Sequence, residues 1–595
     1  MRRNQFLIVL FICIVFFYIQ GTFAIAADEW VTYFEKTDSL GTPRYAETVR
    51  YFSRLADAAP EAMMTSFGVS PEGRDLPLMI ISKDQKFSAQ EARKSGKPIV
   101  MIQCCIHPGE SEGKDAAMLL ARDILIYDKY ADILNETIIM IIPIINVDGH
   151  ERFGPYNRIN QNGPEEMGWR VTSTRLNMNR DFVKADAPEM RAWLNLFNKW
   201  KPHLFFDCHT TDGVDHQYVI AYNIDEHVEF GGAVSSWARE SLMPSITKAC
   251  NAKGHLIVPY AGFFDRKNPD KGLRGGVWPP MLSNPYVTLR NSAGVLIESH
   301  SLKTYPVRVR ATYDFLLAAI EHVATKPQDL IDAVAAEQRR ASDLGSTYRL
   351  DSKFPLTFTR DMNRGDTLLY YGYQIEIKDG PIAGQGYISY TEKPRNFPVV
   401  FYNYVKPDVE IVPPLGYIVP RQWTNVIEVL KAHGAELHLL EESVTDTFET
   451  YRFEDVKFSS RSYEGRHRPS YKAVSVNEVR TLPAGSVFVP LGNEESKIIM
   501  NILEPQAPDA LVGWGFFNTI FEHREYFESY VMEPMAQKMI AEDEELRQEF
   551  EQKVASDSVF AANPRARLQF FYERTPYWDT EKDSYPVVRV TRELF

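Results

Sequence analysis

The sequence is poor in cysteine and in long apolar runs. Only five cysteines occur in 595 residues, and Cys13 lies within the N-terminal apolar run, so a disulfide-based scaffold is excluded. Cys104, Cys105 and Cys208 fall in predicted buried strands, where they are either small core residues or partners in one bridge. After residue 19 no apolar run approaches the ~18 residues that a membrane-spanning helix requires.

An excess of positive charge is also absent. The net charge of −13 argues against non-specific binding to nucleic acid, and we expect no nucleic-acid partner. The sequence contains no internal repeat and no low-complexity tract. With 595 residues and 44% hydrophobic content, it is long and apolar enough for two or more domains.

The N-terminus has the pattern of a secretory signal peptide. Arg2 and Arg3 precede an apolar run over residues 6–19, and small residues follow at 24–26. An uncleaved membrane anchor is the alternative interpretation. We therefore predict a signal peptide over residues 1–27 and an exported protein, periplasmic or extracellular, with no stable membrane insertion after cleavage.

Residues 28–335 alternate apolar runs with helical patterns. Predicted strands cover residues 76–82, 99–106, 137–146, 203–208 and 295–298, and predicted helices cover residues 187–200 and 306–325. This alternation predicts an α/β domain whose mixed, mostly parallel sheet carries helices on both faces. Residues 154–179 have no clear period, and loops of that length usually serve a site.

The pattern changes after residue 335. Residues 336–415 alternate polar and apolar residues between turns, which predicts a β-sandwich-like domain. Residues 416–595 predict a mixed α/β region, so the second half as a whole is a mixed, β-rich C-terminal region. It contains no group of residues that we interpret as catalytic.

Four polar residues lie at or just beyond the predicted strand ends: His107, Glu110, His209 and Glu298. The carboxyl ends of parallel strands converge at one edge of a sheet, so these residues can meet there. Two histidines and a glutamate with one open position form a catalytic zinc arrangement, and a second glutamate could take a proton from water. The alternatives are strand-end histidines with structural partners and a glutamate that pairs with an arginine.

The sequence resembles the zinc carboxypeptidase A family, peptidase family M14, over roughly residues 40–325. His107-Pro108-Gly109-Glu110 is similar to the segment that carries the family's first two zinc ligands, and Asn146-Val147-Asp148-Gly149 to its Asn-Pro-Asp-Gly turn. Trp169-Arg170 and Asn179-Arg180 resemble two further motifs of the family. The chain looks like an exported, bacterial-type member with a C-terminal extension.

The resemblance implies a role for each matched residue. One zinc ion per chain is expected at His107, Glu110 and His209, with Glu298 as the catalytic glutamate. Arg170 would polarise the substrate carbonyl, although Arg175 lies close enough in sequence to replace it. Asn179 and Arg180 would bind the carboxylate at the C-terminus of the substrate, a task that suits the planar guanidinium of arginine.

Two departures from the family pattern stand out. The family's mobile tyrosine, about twenty residues before the catalytic glutamate, is absent here, and Tyr286 is the substrate-binding substitute that we predict. The aspartate that orients the first zinc histidine is replaced by Asn177, and Asp207 is an alternative partner. A neutral amide raises the basicity of the ligand less than a carboxylate does, which predicts weaker zinc binding.

The function that we predict is hydrolysis of C-terminal residues from peptides with a free C-terminus. An alternative keeps the metal chemistry and changes the substrate: a zinc amidase or deacylase acting on cell-wall peptides or acylated amino acids. A third hypothesis, a binding protein that has lost activity, requires a missing ligand or glutamate, and none is missing. The preferred C-terminal residue, the oligomeric state and the role of residues 336–595 stay open.

Overall fold

The first half of the protein is built on one eight-stranded sheet. The computed structural model describes residues 29–594, so the predicted signal peptide lies outside the described residues. The sheet has the order β1-β2-β4-β3-β5-β10-β6-β7, and β4, β3, β5 and β10 run parallel to one another. The strands of this half are β1 Ala62–Val69, β2 Asp75–Ile81, β3 Ile99–Cys104, β4 Ile138–Ile142, β5 Leu204–Thr211, β6 Ile220–Ile224, β7 Ile257–Pro259, β8 Gly262–Phe263, β9 Leu273–Arg274 and β10 Ala293–His300.

Helices cover both faces of this sheet. Strand β3 is buried along its whole length: Met101 lies in one apolar core with Trp193 of the helix Pro188–Trp200, and Ile102 lies in another with Leu120. A strand buried on both faces explains the continuous apolar run in its sequence. The α/β fold predicted from the sequence is confirmed.

Two helices of this half, Pro188–Trp200 and Tyr305–Thr325, agree with those predicted at residues 187–200 and 306–325. Residues 152–177 contain no helix and no strand, as expected for the long loop. The α-helices are Tyr33–Lys36, Tyr45–Ala58, Ala89–Lys94, Glu112–Leu125, Ile133–Glu136, Val147–Glu151, Pro188–Trp200, Val228–Trp237, Met243–Ala252, Ser283–Leu289, Tyr305–Thr325 and Pro327–Asp343. Short 3₁₀ turns occur at Met178–Arg180 and Pro269–Lys271, and a π-turn at Ala238–Leu242.

Residues 336–415 differ from the sandwich that the sequence predicts. The long strands β13 and β14 form a hairpin, and β14 then pairs with β9 through Phe401 and Leu273, which gives the sheet β13-β14-β9-β8. Alternation identifies strands but not their partners, and here the partner lies in the first half of the chain. The strands are β11 Phe354–Pro355, β12 Phe358–Arg360, β13 Asp366–Asp379, β14 Gly386–Tyr402, β15 Val405–Pro407 and β16 Glu410–Ile411.

The last part of the chain forms a six-stranded sheet with helices. Its order is β18-β21-β17-β22-β19-β20, from β17 Gly416–Val419, β18 His438–Leu439, β19 Val444–Phe458, β20 Pro469–Leu482, β21 Val487–Pro490 and β22 Val588–Val590. The mixed, β-rich character predicted for the C-terminal region is therefore confirmed. Its helices are Thr424–Ala432, Ser496–Leu503, Ser529–Glu542, Glu544–Ser556, Ser558–Ala561 and Pro564–Tyr572, with a 3₁₀ turn at Asn518–Phe521.

The two halves share a continuous core. Trp193 and Met101 belong to the same buried cluster as Tyr417 and Trp514. A buried ion pair crosses the boundary, with Lys497 Nζ 2.6 Å from Glu337 Oε1. The C-terminal region thus packs directly on the face of the main sheet that carries the helix Pro188–Trp200.

Two predictions about the whole chain can be compared with the described residues. Cys104, Cys105, Cys208 and Cys250 are buried free thiols, which agrees with small core residues rather than a bridge. Within residues 29–594, no helix combines the length and the apolar character that crossing a membrane requires.

Candidate metal centre

The turn after β3 brings His107 and Glu110 to the edge of the main sheet. Cys105 has a left-handed backbone conformation with φ of 59°, an uncommon geometry for a non-glycine residue that bends the chain out of the strand. The following helix then lies close to β5, since a Cβ on Gly113 would be 2.3 Å from Cys208 Cβ. The absence of a side chain at Gly113 therefore brings the turn next to His209.

Three candidate ligand atoms meet at this edge. His107 Nδ1 lies 3.2 Å from Glu110 Oε2 and 3.2 Å from His209 Nδ1, and His209 Nδ1 lies 2.9 Å from Glu110 Oε2. All three side chains are buried. The structure thus brings together the three residues that the sequence predicts as metal ligands.

The outer nitrogens of both imidazoles have acceptor partners. His107 Nε2 is 3.0 Å from Asn177 Oδ1, which also accepts a hydrogen bond from the backbone N–H of Asn179. His209 Nε2 is 2.8 Å from Asp207 Oδ2. Because each Nε2 is turned to an acceptor, Nδ1 is the nitrogen that each imidazole would offer to a metal. Asn177 occupies the predicted orienting position, whereas Asp207 orients His209 and not His107.

Glu110 is held by two arginines from the long loop. Its Oε1 lies 2.8 Å from Arg158 Nη1 and 3.2 Å from Arg170 Nη1. Burial would raise the pKa of Glu110, but its interactions with His107, Arg158 and His209 hold that pKa well below its usual range. Glu110 is therefore ionised, as a metal ligand must be. Arg158 was not predicted as a site residue, because the loop around it has no period or motif that would single it out.

The two histidines differ in their protonation. Burial lowers the pKa of His107 to about 4, which leaves its imidazole neutral. For His209 the effect of burial is outweighed by the charge of Asp207 and its hydrogen bonds to Asp207 and Glu110, which raise its pKa. A cation at Nδ1 would compete with a proton for that position.

Glu298 lies directly beside this group. It is on β10, opposite His209 of β5 in the parallel register, and it is only partly exposed. Burial raises the pKa of Glu298 to about 8, with the nearby charges of Glu110 and Asp207 acting in the same direction and that of His209 opposing them. Its carboxyl group makes no hydrogen bond within the part of the chain that the structure describes, and it borders the same cavity as His107.

A small cavity of about 150 Å³ unites the remaining predicted residues with the metal ligands. Arg170, Asn179 and Arg180 line it beside His107 and Glu298. Arg170 is 42% exposed, so its guanidinium is accessible from the cavity. Among residues 29–594, the side-chain amide of Asn179 has no hydrogen-bond partner, and its Oδ1 is buried. The cavity thus combines candidate metal ligands with groups suited to a carboxylate.

The C-terminal region contacts the segment that carries Arg180, one of the residues lining this cavity. In the connection between β19 and β20, Tyr463 Oη accepts a hydrogen bond of 3.0 Å from Arg180 Nε, and Glu464 Oε2 accepts one of 2.9 Å from Asn177 N. Arg466 pairs with Asp186 through two contacts of 2.8 and 2.6 Å. We call residues 459–468 the clamp loop, because they hold the segment that carries Asn177 and Arg180.

Tyr286 does not line the cavity, in contrast to its predicted substrate-binding role. Its ring is fully buried, and its hydroxyl lies 2.8 Å from His433 Nδ1 and accepts a hydrogen bond of 2.9 Å from Arg290 Nη1. The short helix Ser283–Leu289 turns Tyr286 towards the core. The tyrosine that borders the cavity is Tyr260, at the end of β7, together with Trp278. The strand-end rule that identified the candidate ligands does not identify Tyr260, because β7 runs antiparallel to β10.

The geometry of the three ligand atoms fits a zinc ion. Zinc bonds nitrogen and oxygen ligands at roughly 2.0–2.1 Å, which places two ligand atoms of a tetrahedral site about 3.3 Å apart. The separations of 2.9 to 3.2 Å come close to that value, and two nitrogens with one carboxylate oxygen are a donor set that zinc accepts. The fourth position of such a tetrahedral site would face the cavity.

Comparison with known proteins agrees with this assignment. Residues 48–241 match the family model described as zinc carboxypeptidase. Carboxypeptidase 2 from Trichophyton rubrum is 21% identical over 460 residues, 75% of this chain and 78% of the relative. Carboxypeptidase 2 from Trichophyton tonsurans is 22% identical over 498 residues, 80% and 85%.

Among solved structures, a metallo-carboxypeptidase from Burkholderia cenocepacia is 16% identical, with a TM-score of 0.34 over 47% of this chain and 69% of that one. The bacterial-type membership expected from the sequence stays a prediction. The family match spans His107, Glu110, Arg170, Asn179, Arg180 and His209. Over residues 48–241 this chain is therefore similar to the zinc carboxypeptidase family, peptidase family M14, and along most of its length it resembles fungal carboxypeptidases.

Proposed function

We propose that the protein is a zinc-dependent metallocarboxypeptidase that removes C-terminal residues from peptides. One observation carries the proposal: the same small cavity borders His107 and Glu298 and also Asn179 and Arg180. The first pair serves hydrolysis. The second pair suits a ligand with a free carboxylate, since an arginine guanidinium and a side-chain amide both donate hydrogen bonds.

His107, Glu110 and His209 would hold one zinc ion per chain and leave one position open. When bound, zinc lowers the pKa of a water molecule and polarises a carbonyl group. Glu298, once ionised by the nearby positive charge of the metal, would accept the proton of the attacking water and pass it to the departing amine. Its carboxyl group has no hydrogen-bond partner within residues 29–594, so it is free for this transfer.

The two arginines would bind different groups of the substrate. Arg180 and Asn179 would bind the terminal carboxylate and so fix which peptide bond reaches Glu298. Arg170, whose Nη1 lies 3.2 Å from Glu110 Oε1, would stabilise the negative charge that develops on the carbonyl oxygen. Tyr260 and Trp278 border the same space and would cover the terminal residue.

The proposal is tested with two peptides that differ only in a free or an amidated C-terminus. We expect the free acid to react about a hundredfold faster, because the amide leaves Arg180 without its anionic partner. Arg180→Gln should lower the ratio of the rate for the free acid to the rate for the amide. Arg461→Gln, which changes an exposed arginine of the clamp loop, should leave this ratio unchanged. Glu298→Gln should stop hydrolysis and retain zinc. Equal rates for the two peptides would refute the proposal.

A further inference from the structure

A second, larger cavity adjoins the candidate active site. Its volume is about 630 Å³, and it shares Tyr260 and Trp278 with the small cavity that holds Glu298. Its walls come from the loops after β5 and β7, from β9 and from the strand β12. A peptide whose terminal residue fills the small cavity must continue elsewhere, and this space opens directly beside it.

Three arginines line the larger cavity: Arg266, Arg274 and Arg360. Arg360 donates a hydrogen bond of 2.9 Å from Nε to the carbonyl oxygen of Gly275. Within residues 29–594, the side chains of Arg266 and Arg274 are exposed and have neither a hydrogen bond nor an ion pair. Other exposed arginines of this part of the chain, such as Arg50 and Arg461, also lack an ion pair, and what distinguishes Arg266 and Arg274 is that they line one cavity.

The cavity offers these guanidiniums little negative charge. In the described part of the chain, Asp212 is the one carboxylate in its lining, and its Oδ2 accepts a hydrogen bond of 2.8 Å from Asn160 Nδ2. Burial and the positive charge of Arg274 lower the pKa of Arg360, so the two guanidiniums are close enough to repel each other. An anion bound between them would offset this repulsion.

Glycines make room for each guanidinium. A Cβ on Gly262 would lie 3.3 Å from Arg274 Nε, one on Gly213 would lie 3.4 Å from Arg266 Nη2, and one on Gly276 would lie 3.6 Å from Arg360 Nη2. Gly213 and Gly276 also have positive φ, at 112° and 137°, which L side chains rarely adopt. The backbone at Gly213 and Gly276 therefore favours glycine, and neither position projects a side chain into this space.

We propose that Arg266, Arg274 and Arg360 form a subsite for acidic side chains of the substrate, on the N-terminal side of the bond that is cleaved. The inference rests on the proposed function, because it assigns the larger cavity to the remainder of the peptide. Arginine suits this role, since its planar fork binds carboxylates through two hydrogen bonds. The substrate class is thus peptides with glutamate or aspartate close to their C-terminal residue.

The test uses N-acetylated pentapeptides with one fixed C-terminal residue and with glutamate or glutamine at each of the three preceding positions. For at least one position we expect glutamate to raise kcat/KM about fivefold, the size of a favourable exposed ion pair. The double variant Arg266→Gln, Arg274→Gln should lose this preference. Arg50→Gln, on the helix Tyr45–Ala58 away from the cavity, should retain it. Equal kcat/KM at all three positions, or a preference that survives the double variant, would overturn the inference.

Binding to the Glu298→Gln variant, measured by calorimetry with the same peptides, separates this inference from the proposed function. If the native protein cleaves all the peptides and the variant binds both series equally, the subsite is refuted and the carboxypeptidase stands. If no peptide is cleaved but the variant prefers glutamate, the subsite stands and the proposed reaction is refuted. Without cleavage and without preference, both are refuted.

Discussion

If Arg180 binds substrate as proposed, the hydrogen bond between Tyr463 and Arg180 gives the C-terminal region a measurable part in that binding. Tyr463 Oη accepts from Arg180 Nε at 3.0 Å, and the tyrosine ring stacks on Trp514 with ring centroids 6.0 Å apart. Tyr463→Phe removes the hydroxyl and keeps the ring on Trp514. Among the contacts within residues 29–594, Arg180 then retains only its hydrogen bond to the carbonyl oxygen of Asn179, at 2.6 Å, and its guanidinium is less well fixed.

The expected magnitude follows from the surroundings of this bond. A hydrogen bond to a charged group contributes roughly 1.5–3 kcal/mol, and exposure to solvent reduces this to about 1 kcal/mol. If about 1 kcal/mol of binding free energy is lost because Arg180 is less well positioned, KM for a free-acid peptide rises about fivefold. Since Glu298 and the three candidate ligands are untouched, kcat should stay within about twofold of its original value.

The assay is steady-state hydrolysis of a free-acid peptide and of its amide. Tyr463→Phe should raise KM for the acid and leave the slow hydrolysis of the amide unchanged, because the amide does not use Arg180. Tyr530→Phe, at a tyrosine that is 77% exposed, is the matched control. An unchanged KM, or a fall in kcat alone, would show that the clamp loop does not position Arg180.

Three further predictions follow from single contacts. Asn177→Asp should tighten zinc binding about tenfold, because a carboxylate raises the basicity of His107. Competition with a chromophoric chelator measures the zinc affinity, and an unchanged affinity would contradict the prediction. Tyr260→Phe should lower kcat/KM about fivefold, because one hydrogen bond of its hydroxyl group is lost. Tyr286→Phe should leave kcat/KM unchanged and lower only the melting temperature. If instead Tyr286→Phe lowers kcat/KM and Tyr260→Phe does not, Tyr286 is the tyrosine of the site. Burial raises the pKa of Glu189 from 4.5 to about 7, so the folded state binds more protons and stability should fall as pH rises from about 4.5 to 7. Glu189→Gln should remove this loss in the free energy of unfolding, which is at most about 3 kcal/mol over the pH range. Urea unfolding at several pH values measures it, and an equal loss in both proteins would contradict the prediction.

The residues that sequence reasoning placed correctly are those at strand ends. His107, Glu110, His209 and Glu298 follow apolar runs, and parallel strands bring their carboxyl ends to one edge of the sheet, so their proximity could be expected. Tyr260 does not follow this rule, because β7 runs antiparallel to β5 and β10. It also lies farther from Glu298 in the chain than the family pattern suggests, so neither strand-end position nor spacing identified it.

Residues that depend on tertiary contacts could not be predicted in this way. Arg158 reaches Glu110 from an irregular loop, and Tyr463 reaches Arg180 across 283 positions of the chain. Neither side chain has a periodic pattern or motif around it. Tyr286 was assigned by its distance from Glu298, but the helix that carries it directs the ring into the core.

The same limit applies to the fold. The buried strands of the main sheet were predictable because burial on both faces requires continuous apolar runs. The hairpin of β13 and β14 was predictable as strands but not as a partner of β9, which the chain forms more than a hundred residues earlier. Polar and apolar alternation specifies the face of a strand and leaves its neighbour undetermined.

The central claim is that the chain removes C-terminal residues through the site around His107, Glu110, His209 and Glu298. Mass spectrometry of a free-acid peptide incubated with zinc-loaded protein tests it most directly. The account predicts products that are shortened from the C-terminus by single residues and that are absent with Glu298→Gln. Internal cleavage, release of an acyl group or an intact peptide would contradict it.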